Sequence, residues 1–332
     1  MLLAACSKEP PAYQEQGYMF GTLVDVSIYG EPEPRAKQAV AEVMREFQRL
    51  HNMLHAWQPS ELSALNAAFA KGESMAVSPE LAAILIDASR LAQQSNGLFN
   101  PAIGGLIQLW GFQADEFKPV QPDPKLIAEW VARNPQMSDI TVADGRASSR
   151  NKFVQLDLGG YAKGYALDRA AAILRQQGIH DALINIGGNI MALGQHGKRP
   201  WRVGIQHPRQ SGALATLELH DGEAIGTSGD YQRYFMLNNV RYCHLIDPRT
   251  GYPKQGVEEV TVLVRGPQAG VLSDVTSKPL FLSGAAGWRA AATQMNVSEA
   301  MLMDAQGRIY LTSAMQKRLE FTDKKTQPQV EP

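Results

Sequence analysis

The sequence predicts an α+β fold in which mixed sheets and packed helices form a single domain. Segments with strand-like alternation and segments with helical periodicity are mixed without strict alternation, which favours this class over a doubly wound parallel sheet. No linker divides the 332 residues, a length that permits one large core. We predict a leader and flexible tether at 1–17, one domain at 18–320 and a polar tail at 321–332.

Composition excludes several classes of protein. Apolar residues make up 44% of the chain and charged residues 20%, as in ordinary globular proteins, and no apolar run is long enough to cross a bilayer. The net charge of −1 argues against nucleic acid as a partner. Two cysteines cannot form a disulfide scaffold.

The first half of the chain is predicted to begin with a strand and continue with helices. Tyr18–Gly30 reads as one opening strand, and apolar residues recur at helical spacing over 34–55. Ser78 and Pro79 have the residue types of a helix N-cap and first helical position. A similar start at Asp123 predicts another helix.

The stretch "VQLDLGGYAKGYALDRA" is predicted to be a strand, a glycine-rich turn and the start of a helix. Val154–Leu158 alternates like a strand, and the helical pattern runs from about Ala162 to Gly178. With the strand predicted in "DALINIGGNIMALG", this forms a β-α-β unit. Further strands are expected at "WRVGIQHP", "ATLEL", "AIGTSG", "YCHLID" and "EVTVLV", followed by a helix over 274–292 and a hairpin, "SEAMLMDAQGRIYLTS".

The first residues resemble the end of a bacterial lipoprotein signal. "LAAC" places small residues before Cys6, and a polar, proline-containing segment follows. This pattern predicts lipidation of Cys6 and an exported protein that is anchored to a membrane by acyl chains. The alternative is a short unstructured start with no targeting role.

Five glycine-rich polar stretches follow the predicted elements: "NPAIGGLIQLWGF", "DLGGYAKG", "NIGGNI", "TSGDYQRYF" and "HLIDPRTG". Glycine weakens strands and helices, so its repetition at their ends indicates backbone close to a ligand. Taken singly, each stretch is also consistent with an ordinary turn. Together they predict loops gathered at one rim of a sheet.

Several polar residues in these stretches are candidates for chemistry. His244 precedes a turn sequence and is either a reactive imidazole or a hydrogen-bonded strand residue. Ser228, Tyr231 and Arg233 share one loop, which could equally be a solvated turn with packed aromatics. Asp274 lies near a helix start, where it could act only as an N-cap.

The ordered set of these stretches resembles the ApbE-type FAD:protein FMN transferases. "YMFGT" and "GLFNPAIGGLIQLWGF" complete the set, so the resemblance runs from about residue 19 to about residue 284. It implies an ApbE-like, T-fold-related domain that cleaves FAD, attaches FMN to a threonine or serine of a target protein through a phosphoester, and releases AMP. It also implies magnesium as a cofactor, and many members are exported lipoproteins.

The resemblance assigns roles to residues of this chain. Asp157 would bind the flavin, Lys163 would contact FAD, and the carbonyl of Gly160 and the carboxylate of Asp274 would hold magnesium. The remaining residues that would line the FAD site are Met19, Trp57, Leu98, Phe99, Asn100 and Ile246.

The nucleophile would be the hydroxyl of the target. His244 is the candidate general base, because an imidazole accepts a proton near neutral pH, and Asp274 could assist. Ser228, Tyr231 and Arg233 would shape the mouth through which the target enters.

Lys278 departs from the family pattern, which has a threonine of the metal site at this position. One possibility is that Lys278 points away, so that its carbonyl, a water or Ser277 completes the metal shell. The other is that its charge substitutes in part for the ion. We expect the first, with a local turn altered by Pro279.

We therefore predict FMN transfer from FAD to a target flavoprotein, with FAD pyrophosphatase activity or FAD binding without chemistry as alternatives. The targets implied by the resemblance are subunits of membrane redox pumps and a regulator of nitrous oxide reduction. The predicted location is the periplasmic side of the bacterial inner membrane.

Overall fold

The computed structural model describes residues 12–114 and 116–331, and within these ranges the chain forms helices and strands in mixed order. The helices are α1 (Glu33–Met53), α2 (Glu61–Lys71), α3 (Pro79–Gln94), α4 (Gly104–Leu109), α5 (Pro124–Arg133), α6 (Ala162–Gln176), α7 (Ala269–Gln294) and α8 (Ser313–Gln316). No helix among the described residues has both the length and the apolar character needed to cross a membrane.

The strands are mostly short. They are β1 (Tyr13–Met19), β2 (Thr22–Ile28), β3 (Met75–Ala76), β4 (Ile140–Ala143), β5 (Arg146–Ser149), β6 (Ala182–Ile186), β7 (Asn189–Leu193), β8 (Trp201–Gln206), β9 (Ala213–Leu219), β10 (Glu223–Gly229), β11 (Tyr234–Leu237), β12 (Val240–Cys243), β13 (Ile246–Asp247), β14 (Tyr252–Pro253), β15 (Val257–Arg265), β16 (Glu299–Asp304), β17 (Ile309–Thr312), β18 (Glu320–Phe321) and β19 (Gln329–Glu331).

A nine-stranded sheet organises the fold, in the order β1-β2-β6-β7-β10-β15-β16-β17-β19. Neighbouring strands are antiparallel except β17 and β19, which are parallel. Helices α1 and α6 bury apolar side chains under one part of this sheet, and α7 contacts β10 and β15 in another. The small sheet β18-β9-β8 covers further apolar residues of the central sheet. The fold is thus α+β, as predicted.

The helices are the best-predicted elements. Predicted helices 34–55 and 162–178 correspond to α1 and α6. At the start of α3, the Ser78 hydroxyl accepts a hydrogen bond from the Leu81 N–H, and Asp123 caps α5 through the Lys125 N–H. These caps satisfy backbone donors that would otherwise have no partner.

Two predicted single strands are hairpins instead. Phe20 and Gly21 both have positive φ (57° and 69°), so the chain turns tightly between β1 and β2 within the predicted strand Tyr18–Gly30. Gly187 and Gly188 likewise turn the chain between β6 and β7. Two consecutive positive φ values suit the twist of a tight hairpin.

The strand predicted at Val154–Leu158 is absent from the structure. Only Gln155 forms a bridge, to Ile103, and the rest of the segment is a loop, so the predicted β-α-β unit does not form.

The domain limits also change. β1 begins at Tyr13, within the predicted tether, and β19 pairs with β17 within the predicted polar tail.

Candidate functional site

A cavity of about 1010 Å³ lies where the loops and strand ends meet. This volume is at the upper end of the range for ligand pockets. All the predicted site residues except Met19 line it, which agrees with the prediction of loops gathered at one rim. They are Trp57, Leu98, Phe99, Asn100, Asp157, Gly160, Lys163, Ser228, Tyr231, Arg233, His244, Ile246, Asp274 and Lys278.

Close contact between α6 and α7 positions charged residues of the cavity. A Cβ built on Gly164 would lie 2.3 Å from the carbonyl oxygen of Gly270, so only a glycine permits this approach. Asp274, one turn further along α7, is therefore close enough to accept a hydrogen bond from the Gly164 N–H at 3.1 Å. Asp274 lies inside the helix, so the interpretation of this residue as an N-cap is wrong.

Two ammonium groups meet at the buried carboxylate of Asp274. Its Oδ1 atom is 2.6 Å from Nζ of Lys278 and 3.4 Å from Nζ of Lys163. Burial alone would raise the pKa of Asp274, but the positive charges of Lys163 and Lys278 outweigh it and lower the pKa. The carboxylate is therefore ionised at neutral pH, and the cluster of three groups carries a net positive charge.

Lys278 points into the site, so the prediction that it points away is wrong. Its ammonium donates to both the backbone oxygen and Oδ1 of Asp274, each at 2.6 Å. Helix α7 continues through Lys278 and Pro279, so the predicted altered turn is also wrong, and the non-helical residue is Gly284. Because α7 stays helical, Lys278 and Asp274 are one turn apart on the same face.

The space predicted for magnesium is taken up by this lysine. A Cβ built on Gly160 would lie 2.6 Å from Cε of Lys278, so the lysine side chain passes between Gly160 and Asp274. Among the described residues, no group of three His, Cys, Asp or Glu side chains is placed to hold a metal ion. Magnesium is commonly held by one or two carboxylates together with waters and substrate phosphates. The predicted carboxylate, Asp274, already binds the Lys278 ammonium, so the site as arranged does not fit that ion.

Asp157 is oriented by the glycine turn that follows it. Its Oδ1 atom accepts a hydrogen bond from the Gly159 N–H at 2.9 Å, and its own N–H donates to the Pro101 carbonyl. On the other side of the turn, Lys163 donates to the Gly159 carbonyl at 3.2 Å. The loop thus directs a carboxylate and an ammonium to the same cavity.

Part of the cavity lining is aromatic. Trp57, which is 37% exposed, meets His55 edge-on at a ring-centroid distance of 4.7 Å. His55 in turn contacts His51, which contacts Phe20. No sequence pattern singled out these last three residues as members of the site, and His55 lies just beyond the end of α1.

Three predicted cofactor-binding residues serve the structure in ways that the sequence did not predict. Met19 is buried in the core and does not line the cavity, whereas the next residue, Phe20, does. Asn100 donates to the Pro135 carbonyl and accepts from the Ala102 N–H, so its amide fixes the loop. Ile246 packs in an apolar cluster beside the cavity.

His244 lies in the cavity wall with its imidazole held against the backbone. Its Nδ1 atom is 3.3 Å from the Arg233 carbonyl oxygen. Burial lowers the pKa of His244 well below its usual range, and the positive charges of Arg233, Lys163 and Lys278 lower it further. The imidazole is therefore neutral at pH 7 and has a ring nitrogen able to accept a proton.

The residues predicted to contact the target have partners within the protein. Ser228 and Ser277 share a hydrogen bond at 2.8 Å, and Arg233 donates to the Phe112 carbonyl. Tyr231 donates to the fully buried carboxyl of Glu259 at 3.0 Å. Burial raises the pKa of Glu259 to about 8, which no sequence pattern predicted.

Comparison with known proteins identifies the family. The model of the ApbE family matches residues 20–302. The chain belongs to the ApbE family. A protein from Rhodobacter capsulatus named FAD:protein FMN transferase is 43% identical over 94% of this chain, which spans 59% of that relative's length. A protein of the same name from Haemophilus influenzae is 30% identical over 85% of this chain and 84% of its own.

Solved structures agree with this assignment. The crystal structure of the ApbE protein from Thermotoga maritima superposes with a TM-score of 0.84 at 27% identity, over 93% of this chain and 99% of its own. The predicted ApbE-like fold is thereby confirmed.

Proposed function

We propose that this ApbE-family chain transfers FMN from FAD to a threonine or serine hydroxyl of a target protein and releases AMP. The observation that carries the proposal is one cavity lined both by Trp57 with its aromatic neighbours and by the ammonium groups of Lys163 and Lys278. FAD has the matching chemistry, with flat rings that stack on aromatic side chains and an anionic pyrophosphate that pairs with cations.

The reaction is a phosphoryl-type substitution. The acceptor hydroxyl oxygen forms a bond to the FMN phosphorus, while the bond from that phosphorus to the bridging pyrophosphate oxygen breaks. AMP leaves with the bridging oxygen and its electron pair, and the hydroxyl proton passes to a base. The protein contributes by positioning both reactants and by neutralising charge at the phosphates.

His244 is the proposed base. It lines the same cavity as Lys163 and Asp274, and its low pKa keeps it neutral and able to accept the proton. Asp274 accepts hydrogen bonds from both ammonium groups and from the Gly164 N–H, so its role is to orient the cationic cluster. We assign the acceptor entrance to the side of Ser228, Tyr231 and Arg233.

Magnesium is implied only by the resemblance to the family. The ammonium of Lys278 is bound to the only predicted carboxylate ligand, Asp274. Every role given above belongs to side chains of this chain.

The proposed location is the periplasmic side of a bacterial inner membrane, with a lipid on Cys6. Cys6 lies outside the described residues, and the support is its sequence context alone. The proposed acceptor is a flavoprotein subunit of a membrane redox pump or a regulator of nitrous oxide reduction. Membrane extraction followed by intact-mass measurement tests the lipid, since a mass without acyl groups contradicts it.

One incubation separates the proposed activity from its alternatives. FAD and the protein are incubated with and without an apo redox-pump subunit, while AMP and free FMN are measured by chromatography. Transfer predicts AMP without equivalent free FMN, and only when the acceptor is present. Equal amounts of AMP and free FMN without acceptor indicate a pyrophosphatase, and unchanged FAD in every arm indicates binding without chemistry.

A further inference from the structure

The ammonium of Lys278 lies where the sequence analysis placed a divalent cation. It is 2.6 Å from Oδ1 of Asp274, and its side chain passes directly over Gly160. These two residues are the ones that were predicted to hold magnesium. The lysine therefore shares the carboxylate ligand and the space that the ion would need.

The Lys278 ammonium has a buried counter-charge. Burial lowers the pKa of Lys278, and the carboxylate of Asp274, which is 1% exposed and lies 2.6 Å away, opposes that effect. An ammonium has three N–H donors, and two of those on Lys278 are directed at Asp274. One donor is left for a ligand in the cavity that Lys278 lines.

The charge balance of the cluster suits a pyrophosphate. Lys163 and Lys278 carry one positive charge each, and Asp274 neutralises one of them, so this cluster of three groups keeps one positive charge. A divalent cation placed against the same carboxylate oxygen would stand next to the Lys278 ammonium at a distance where like charges repel strongly in a buried site. Ammonium and metal ion therefore compete for one position.

We propose that Lys278 is a built-in cation that binds the FAD pyrophosphate and stabilises the AMP leaving group, so that this chain acts on FAD without a bound divalent metal. The proposal rests on the proposed function, because it names the residue that supplies positive charge in that same reaction. Bond formation and cleavage are those of the transfer described above, and AMP leaves with its electron pair beside the Lys278 ammonium.

The test compares the wild type with Lys278→Met in EDTA and in millimolar magnesium. This substitution keeps the length of the side chain and removes its charge. AMP release from FAD with an apo redox-pump subunit is the first readout. We expect the wild-type rate to be the same in both buffers. We expect Lys278→Met to lose about 100-fold in EDTA, the usual cost of removing one electrostatic donor from a reaction centre.

Lys278→Thr is the second variant, because it opens the space between Gly160 and Asp274. We expect it to lose activity in EDTA and to recover part of it in magnesium, which the wild type does not need. Lys317→Met is the matched control, since Lys317 is exposed and lies outside the cavity, and its rates should equal those of the wild type.

FAD affinity, measured by flavin fluorescence quenching, distinguishes failure of this proposal from failure of the proposed function. Wild-type affinity should be independent of magnesium, and Lys278→Met should bind FAD at least several-fold more weakly in EDTA. The proposal is overturned if the wild type is inactive in EDTA and regains activity in magnesium. It is also overturned if Lys278→Met releases AMP at the wild-type rate in EDTA. If neither the wild type nor any variant releases AMP, the proposed function fails. In that case the FAD affinity still tests the role of Lys278, because a wild-type affinity that depends on magnesium overturns it.

Discussion

The backbones of Gly164 in α6 and Gly270 in α7 touch, and a Cβ built on either would lie within 2.4 Å of the other's carbonyl oxygen. This contact brings the Gly164 N–H to Asp274 and places Lys163 beside the same carboxylate. The site is therefore built on the packing of two helices, and it should respond to any change at their contact.

Gly164→Ala should force the helices apart. We expect the free energy of unfolding in urea to fall by about 1–3 kcal/mol, the usual cost of overpacking, and FAD affinity to fall because the Asp274 cluster is displaced. Gly287→Ala, also in α7 but with only the Ser283 side chain nearby, should change neither quantity by much. Equal effects of the two substitutions would show that the contact is not what positions the site.

Asp274→Asn should destabilise the protein, because it leaves two ammonium groups without their buried counter-charge. We expect a loss of about 3 kcal/mol in the free energy of unfolding, as for other broken buried ion pairs. Glu129→Gln, which breaks the exposed pair with Arg133, should cost less than about 1 kcal/mol. Similar urea midpoints for the two variants would contradict the structural role of Asp274.

Sequence patterns predicted the helices well because their signals are local. The Ser78 and Asp123 caps and the spacing of apolar residues are contained within single segments. The hairpin at Phe20–Gly21 was missed because its turn has neither of the common asparagine–glycine or aspartate–glycine pairs. Val154–Leu158 has the alternation of a strand, but it has no continuous partner strand, and the alternation comes from burial of a loop.

The members of the candidate site were predictable, but the arrangement of Lys278 was not. The motif order selected residues that line one cavity, whereas the direction of a lysine side chain depends on what surrounds it in three dimensions. Here the helix continues through Pro279, and the Gly160 turn leaves room for the lysine stem. Glu259 was missed for the same reason, since its burial beneath Tyr231 results from pairing of distant strands.

His244→Ala should reduce the transfer rate by about 10²–10⁴-fold and leave FAD affinity within a few-fold, because a base is needed for chemistry and not for docking. The pKa of His244 lies well below 6.5, so the imidazole stays neutral, and the wild-type rate should not fall between pH 8 and pH 6 through its protonation. A near wild-type rate for His244→Ala would make the residue structural.

Glu259 should make the protein less stable as the pH rises. Its pKa is about 8 in the folded state and near the ordinary 4.5 when unfolded, so between these values the folded state binds more protons. The free energy of unfolding should therefore fall with pH across this window, by up to about 1.4 kcal/mol per pH unit. Urea unfolding at several pH values should show this slope in wild type and lose it in Glu259→Gln. If the free energy of unfolding fell equally with pH in the wild type and in Glu259→Gln, this role of Glu259 would be contradicted.

The measurement that tests the account most directly is the intact mass of the apo acceptor subunit after incubation with this protein and FAD. We predict a mass increase of one FMN joined through a phosphoester, matched by one AMP released per modified subunit. An acceptor in which the modified threonine is replaced by alanine should gain nothing. An unmodified acceptor, in a mixture where FAD has been converted to AMP and free FMN, would contradict the account.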